Sequence, residues 1–295
     1  MRAMLFNKKR KIALVAPAGS FDREIFEHAT KKLEERGIEL CHTDRIFHHW
    51  RGFSARDWER ALDLAEHFSD PGVQILWCVR GGYGSSRILP FLDLKRLADS
   101  GKTLMGYSDI TFLHNALLEA GAEITLHGPN FLEISSMQDE DVNRLFSFLD
   151  GSRPFRWKLS GKNTVRSGLA TGRLLGGNLA CVCHLLGTPY LSLKTFEGAI
   201  LFLEDKNEAG YRIDRMLNHL KMAGVFDVIK GLVLGTFWDC EPYDEIIQKV
   251  VDVTSDYNFP IICLLPFGHG IRQDLLPLGG SALVDTDSGL FEVSL

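Results

Sequence analysis

The first half of the chain alternates short apolar runs with amphipathic stretches. Residues 11–17, 73–79 and 103–107 are mostly apolar runs of strand length, and residues 21–36, 55–68 and 109–120 place apolar side chains at helical spacing. In the second helix Trp58, Ala61, Leu62 and Ala65 share one face and are the expected inward residues. Strand and helix in regular succession predict a parallel sheet covered by helices on both faces, because parallel strands need crossover connections of helix length. Ligands on such sheets bind where strands hand over to helices. Two loops lie at points of that kind: Arg80-Gly81-Gly82-Tyr83-Gly84-Ser85-Ser86 after the second run, and Ser108 after the third.

From 151 to 167 the pattern lapses into polar and basic residues with Pro154, Gly161, Lys162 and Asn163, and the stretch reads as an interdomain linker. Beyond it the texture changes. Gly176 and Gly177 open a helix reaching Leu186, residues 199–203 form a strand and 211–222 a helix. Short strands follow at 231–237, 260–265, 282–284 and 291–293. The fold class is therefore α/β: an N-terminal parallel α/β sandwich domain over 1–150, and a smaller, β-rich mixed domain over 168–295.

Composition narrows the function classes. The 295 residues are 45% hydrophobic and 24% charged, which is globular, and no window approaches the roughly 18 apolar residues of a membrane span. A net charge of −5 from interspersed residues advertises no basic face to nucleic acid or anionic lipid. Lys8, Lys9, Arg10 and Lys11 before the first apolar run imitate a secretory signal. The run is short and contains Pro17, so a surface cluster before a buried strand is the expectation. Cys41, Cys78, Cys181, Cys183, Cys240 and Cys263 are thinly spread, mostly inside apolar runs, and read as reduced core residues. Cys181-Val182-Cys183-His184 has no second pair at zinc spacing, so no metal is expected.

Ser108 carries the strongest local signal. A serine where a strand meets a helix exposes its hydroxyl beside the unpaired N–H groups of the first helical turn, which suits an oxyanion. A helix N-cap accounts for the same residue. The nucleophile elbow of α/β-hydrolases asks for a second glycine where Ile110 stands. The Gly81-Gly82 turn allows close backbone approach to a ligand but fits no phosphate-loop spacing. Glu204 and His269 close two further apolar runs. Singly they read as a loop charge and a turn histidine; with Ser108 they give the order Ser, Glu, His, each at a strand mouth, which is a triad hypothesis. In it, His269 takes the serine proton, Glu204 fixes the imidazole tautomer, and the backbone N–H groups of Asp109 and of Gly81-Gly82 hold the oxyanion. His127, at the end of a strand, is the rival base. Asp205 and Glu208 are rival acids.

At this point the chain resembles the LD-carboxypeptidases of peptidoglycan recycling and their microcin-immunity relatives. The resemblance runs through Val15-Ala16-Pro17-Ala18-Gly19, Arg80 to Arg87, Gly106-Tyr107-Ser108-Asp109, Gly128-Pro129, Gly176-Gly177-Asn178-Leu179, Leu186-Gly187-Thr188-Pro189-Tyr190, Leu203-Glu204-Asp205, Tyr211 to Leu217, Gly268-His269 and Leu276-Pro277-Leu278-Gly279. It implies a triad of Ser108, Glu204 and His269, no metal or organic cofactor, and a cytoplasmic enzyme that releases terminal D-alanine from a murein tetrapeptide. It also implies a nucleophile on the first domain, its partners on the second, and a site in the cleft between them. Arg80 and Arg87 are candidates for the substrate carboxylate. Two rivals remain: a detoxifying hydrolase of peptidyl-nucleotide antibiotics with the same triad, and a non-catalytic module cradling an anionic ligand in the Gly-rich loop. Oligomeric state, including a homodimer, is open.

Overall fold

The computed structural model describes residues 5–7, 11–270 and 273–295; Lys8, Lys9 and Arg10 of the basic cluster lie outside them. The chain divides into two compact units, Met1–Pro154 and Phe155–Leu295.

In the first unit the strands are β1 (Lys11–Val15), β2 (Leu40–Cys41), β3 (Val73–Cys78), β4 (Thr103–Gly106) and β5 (Thr125–His127). All pair in parallel, in the order β5-β4-β3-β1-β2. The connecting helices are α1 (Arg23–Glu34), α2 (Asp57–Ser69), α3 (Ser85–Ile88), α4 (Leu94–Ala98) and α5 (Thr111–Glu119), with α6 (Asp139–Leu149) closing the unit. α1 starts where it does because the Asp22 carboxylate accepts the N–H groups of Glu24 and Ile25. Both faces of the central strands are covered, which is why β1, β3 and β4 read as predominantly apolar runs rather than alternating ones.

α2 corrects one expectation. Its inward face carries Ala61, Leu64 and Phe68 together with Arg60, Asp63 and His67, while Trp58 and Leu62 are exposed. The reason is Arg60. Its buried guanidinium donates to the carbonyls of Pro17, Ala55 and Gly84 and pairs with Asp57, so the helix turns its arginine inward and two large apolar side chains outward.

The second unit contains β6 (Arg156–Lys158), β7 (Thr164–Arg166), β8 (Leu169–Asn178), α7 (Leu179–Leu185), β9 (Ile200–Lys206), α8 (Gly210–Met222), α9 (Val225–Val228), β10 (Gly231–Trp238), α10 (Tyr243–Val253), β11 (Ile261–Ile262), β12 (Leu276–Leu278), β13 (Ser281–Asp285) and β14 (Leu290–Ser294). Its mixed sheet runs β6-β14-β13-β8-β9-β10-β11-β7, parallel from β8 to β11 and antiparallel outside. Gly176 and Gly177 lie inside β8 and do not open a helix: a Cβ on Gly176 would fall 1.9 Å from the carbonyl oxygen of Phe202 on β9. The helix waits for Asn178, whose side chain caps it through Cys181 N.

The stretch read as a linker is also structured from 155 onward. β6 and β7 are the two edge strands of this sheet. Trp157 accounts for it: the indole is buried between Phe267 (centroids 4.8 Å, edge-on) and Phe291 (5.4 Å, stacked), and its N–H donates to Asp274 Oδ2 at 2.7 Å. One aromatic between exposed Arg156 and Lys158 is too short an alternation to announce a strand.

None of the six cysteines forms a disulfide. Burial raises the thiol pKa of Cys78 well above the ordinary value, pushes that of Cys183 up to about 12 and that of Cys263 to about 11, and raises those of Cys41 and Cys240. Among the described residues no helix is long and apolar enough to cross a membrane, and no group of three or more His, Cys, Asp or Glu side chains is arranged to hold a metal ion. Trp157→Ala is expected to cost about 3–5 kcal/mol, the usual loss for a buried aromatic; urea unfolding followed by circular dichroism measures it, and a loss under about 1 kcal/mol would mean that β6 is dispensable.

Candidate active site

β4 ends at Gly106, and two residues later the chain is helical. Ser108 opens a 3-10 turn, Ser108–Ile110, that runs into α5, and it does so with φ at +65°. A β-carbon in that left-handed region meets the following carbonyl, so the serine carries strain of about 1–3 kcal/mol that its surroundings must hold. The sharp turn lifts the hydroxyl off the end of the sheet, as nucleophile elbows do. Capping does not explain the residue: the N-cap is Tyr107, and no side chain caps the turn.

The Gly-rich loop lies directly against this serine. A Cβ on Gly81 would sit 3.2 Å from Ser108 Cβ, 3.2 Å from the Tyr107 oxygen and 3.5 Å from Asn130 Nδ2, so a side chain here would crowd the serine. Asp109 ties the two segments together. Its Oδ2 accepts the Ser85 N–H at 2.8 Å, while Ser85 Oγ donates back to the Asp109 carbonyl. Burial pushes the Asp109 carboxyl pKa up and the Ser85 donors pull it down. Arg60 holds the same loop from the other side through Gly84. The two arginines differ. Arg87 grips Asp57 through Nε at 3.0 Å and a terminal nitrogen at 2.6 Å and stacks on Phe53, whereas exposed Arg80 donates to the Ser20 carbonyl at 2.7 Å.

In the second unit, β9 is longer than the sequence suggests and swallows Glu204 and Asp205. Strand alternation sends their carboxylates to opposite faces. Glu204, with no exposed surface, accepts His269 Nδ1 at 2.7 Å and the His269 backbone N–H at 3.0 Å, both on Oε2. Gly268 makes this possible: with φ at +92°, a Cβ there would lie 2.4 Å from Glu204 Oε2. An imidazole whose Nδ1–H is committed to a carboxylate has Nε2 as its basic nitrogen. Asp205 instead accepts from Asn178 Nδ2, Ala180 N and Lys206 N at 2.7–3.0 Å and holds the start of α7; burial, then the charge of Glu204, pushes its pKa up to about 7. Glu208 faces Arg212 at 3.6 Å. Of the three acids, Glu204 is the one bonded to the histidine.

The segment carrying His269 is tied to β10 ahead of the histidine and closed on itself beyond it. Leu264 N donates to Tyr243 Oη, which donates to the Gly235 carbonyl; Thr236 N donates to Phe267 O, and Asp274 N to Pro266 O. Residues 12–128, around Ser108, match the LD-carboxypeptidase N-terminal domain, and residues 171–284, around Glu204 and His269, match the LD-carboxypeptidase C-terminal domain. The chain belongs to the LD-carboxypeptidase family. It is a hydrolase of the carboxypeptidase class. A putative carboxypeptidase of Synechocystis is 33% identical over 95% of this chain and 92% of its own, and the murein tetrapeptide carboxypeptidase of Pseudomonas aeruginosa is 30% identical over 93% of each. The crystal structure of muramoyltetrapeptide carboxypeptidase from Oxalobacter formigenes superposes with a TM-score of 0.85 at 32% identity, covering 97% of this chain and 99% of that one. The microcin C7 self-immunity protein MccF shares the fold at 20% identity, with a TM-score of 0.89 over 99% of this chain and 98% of its own.

His127, the rival base of the sequence reading, is fully buried on β5, its ring edge-on to Tyr107. Arg60 and Asn130, which lie against the Gly-rich loop and the Ser108 turn, carry no sequence signal of their own beyond the Gly128-Pro129 pair that precedes Asn130. His114 is a further support, donating Nε2–H to the Gly106 carbonyl at 2.9 Å from a wholly buried position on α5. Desolvation brings its pKa down to about 4. The unfolded chain takes up that proton near pH 6.5 and the folded chain does not, so His114 withdraws stability as pH falls from 6.5 towards 4 and has no effect above. Over that window the unfolding free energy of the wild type should fall by about 1–3 kcal/mol more than that of His114→Gln. Equal pH slopes in urea titrations would exclude His114 as the responsible group.

Proposed function

We propose that the protein is a serine carboxypeptidase that hydrolyses the amide bond between the L-centre of the third residue of a murein tetrapeptide and its terminal D-alanine, in the cytoplasm, as a step of peptidoglycan recycling. The observation that carries this reading is the 2.7 Å bond between buried Glu204 and His269, which sets the imidazole tautomer a serine hydrolase needs. The strained presentation of Ser108 supports it from the other unit.

In this mechanism Ser108 Oγ adds to the scissile carbonyl as its proton passes to His269 Nε2. Glu204 stabilises the imidazolium without taking a proton. The carbonyl electron pair moves onto oxygen, where the N–H groups of Asp109 and of the Gly81-Gly82 turn receive it. Collapse breaks the C–N bond, and the proton on Nε2 goes to the departing D-alanine amine. Water then repeats the sequence on the acyl-enzyme, with His269 as base and then acid.

The terminal carboxylate of the substrate needs a cation, and the two candidates now separate. Arg87 is spent on Asp57, while Arg80 meets no carboxylate among the described residues and is steered beside Gly81-Gly82 by its bond to Ser20. Arg80 is the proposed receiver.

Mass-spectrometric detection of D-alanine release from defined tetrapeptides, with an acyl-sulfamoyl adenylate as competing substrate, tests the activity. Ser108→Ala should lower turnover on the order of 10⁶-fold. Release at the wild-type rate by that variant would overturn the assignment, and preference for the sulfamoyl substrate would move it to detoxification. Arg80→Leu should raise KM for the free-acid peptide about 10- to 100-fold, the loss of one charge-assisted contact, and leave the amidated peptide unaffected. An equal change on both peptides would exclude Arg80 as the carboxylate receiver.

A further inference from the structure

Asn130 sits at the backbone N-cap position of the turn Phe131–Ser135, yet its side chain does not cap that turn. The residue is 5% exposed, and its Oδ1 accepts the N–H of Tyr107, the residue before the nucleophile, at 3.4 Å. A backbone N–H can only donate, so this bond decides which end of the amide is oxygen and turns Nδ2 the other way. On that side is the Gly81 approach to the serine. Nδ2 lies 3.5 Å, and Ser108 Cβ 3.2 Å, from the same point, the place a Gly81 Cβ would take. Among the described residues Nδ2 has no protein acceptor. A nearly buried amide donor is ordinarily satisfied, and one left open beside a nucleophile is completed by what binds there.

We propose that Asn130 is a catalytic residue that supplies a third, side-chain donor to the oxyanion, beside the backbone N–H groups of Asp109 and the Gly81-Gly82 turn. The inference rests on the serine-hydrolase reading above. As the Oγ–C bond forms and the carbonyl electron pair moves onto oxygen, the Nδ2–H bond to that oxygen strengthens. When the C–N bond breaks the pair returns, and Asn130 neither gains nor loses a proton. A donor that acts on developing charge favours the transition state over bound substrate, so it governs kcat and leaves KM nearly alone.

The test compares wild type, Asn130→Ala and Asn130→Asp on a defined tetrapeptide. Asn130→Asp keeps the size and the acceptor for Tyr107 N but replaces the donor with an acceptor. Both variants should lose about 10²- to 10³-fold in kcat with KM within about threefold. Affinity for a peptide boronate that mimics the tetrahedral adduct should fall by a similar factor, while affinity for the tripeptide product stays within about threefold. A merely structural role would instead weaken product binding and lower the unfolding midpoint together with kcat, and that pattern overturns the proposal, as does kcat within threefold of wild type in both variants. If wild type itself releases no D-alanine, the proposed activity fails; if wild type is active and the variants match it, only the role of Asn130 fails.

Discussion

A carboxylate leaves water only when donors answer its charge, and Glu204 has no surface in water at all. Its donors are the ring and backbone N–H of a single residue, His269. Removing the histidine would strand a buried charge, a defect costing about 3–5 kcal/mol by the usual measure of broken buried pairs. Much of the second unit follows from this constraint. β9 runs on to Lys206 so that Glu204 is delivered from a rigid strand, residue 268 is a glycine so that the backbone can close over the carboxylate, and Tyr243, Thr236 and Asp274 fix the segment that brings the histidine.

The first unit solves a different problem, that of holding a serine in a backbone conformation its own side chain disfavours. No single strong contact does so. The Ser85–Asp109 exchange, the Arg60 guanidinium shared among Pro17, Ala55 and Gly84, and the His114 donor on Gly106 each fix one neighbour of the turn. Polar groups this buried are costly unless fully bonded, so the same network that holds the turn also restricts what α2 and α5 present to the sheet. The outward Trp58 and Leu62 are a visible result.

The parallel sheet of the first unit was legible because buried strands and amphipathic helices leave periods that a single sequence displays. Ser108 stands, as expected, just past the end of a strand, whereas Glu204 lies inside β9 and His269 seven residues beyond the short β11, so the expected strand mouths hold for the serine alone. What escaped were features set by distant partners. Trp157 makes a strand of a polar segment only because Phe267, Phe291 and Asp274 wait for it more than a hundred residues away. Gly176-Gly177 resembled a helix start because the Phe202 carbonyl that demands them lies on another strand. Nor could spacing choose between Glu204 and Asp205, since adjacent strand residues differ only in which face they occupy.

The state of the thiols bears on covalent chemistry at the serine. Reactivity of a cysteine follows its thiolate fraction, and in five of the six that fraction is suppressed by burial, from the half-exposed Cys41 and Cys240 to the enclosed Cys78. Electrophiles that attack both sulfur and oxygen nucleophiles therefore meet little competition from these five side chains. A warhead aimed at Ser108 thus faces little competition from these five thiols, and its fit to the peptide weighs more than its discrimination against them.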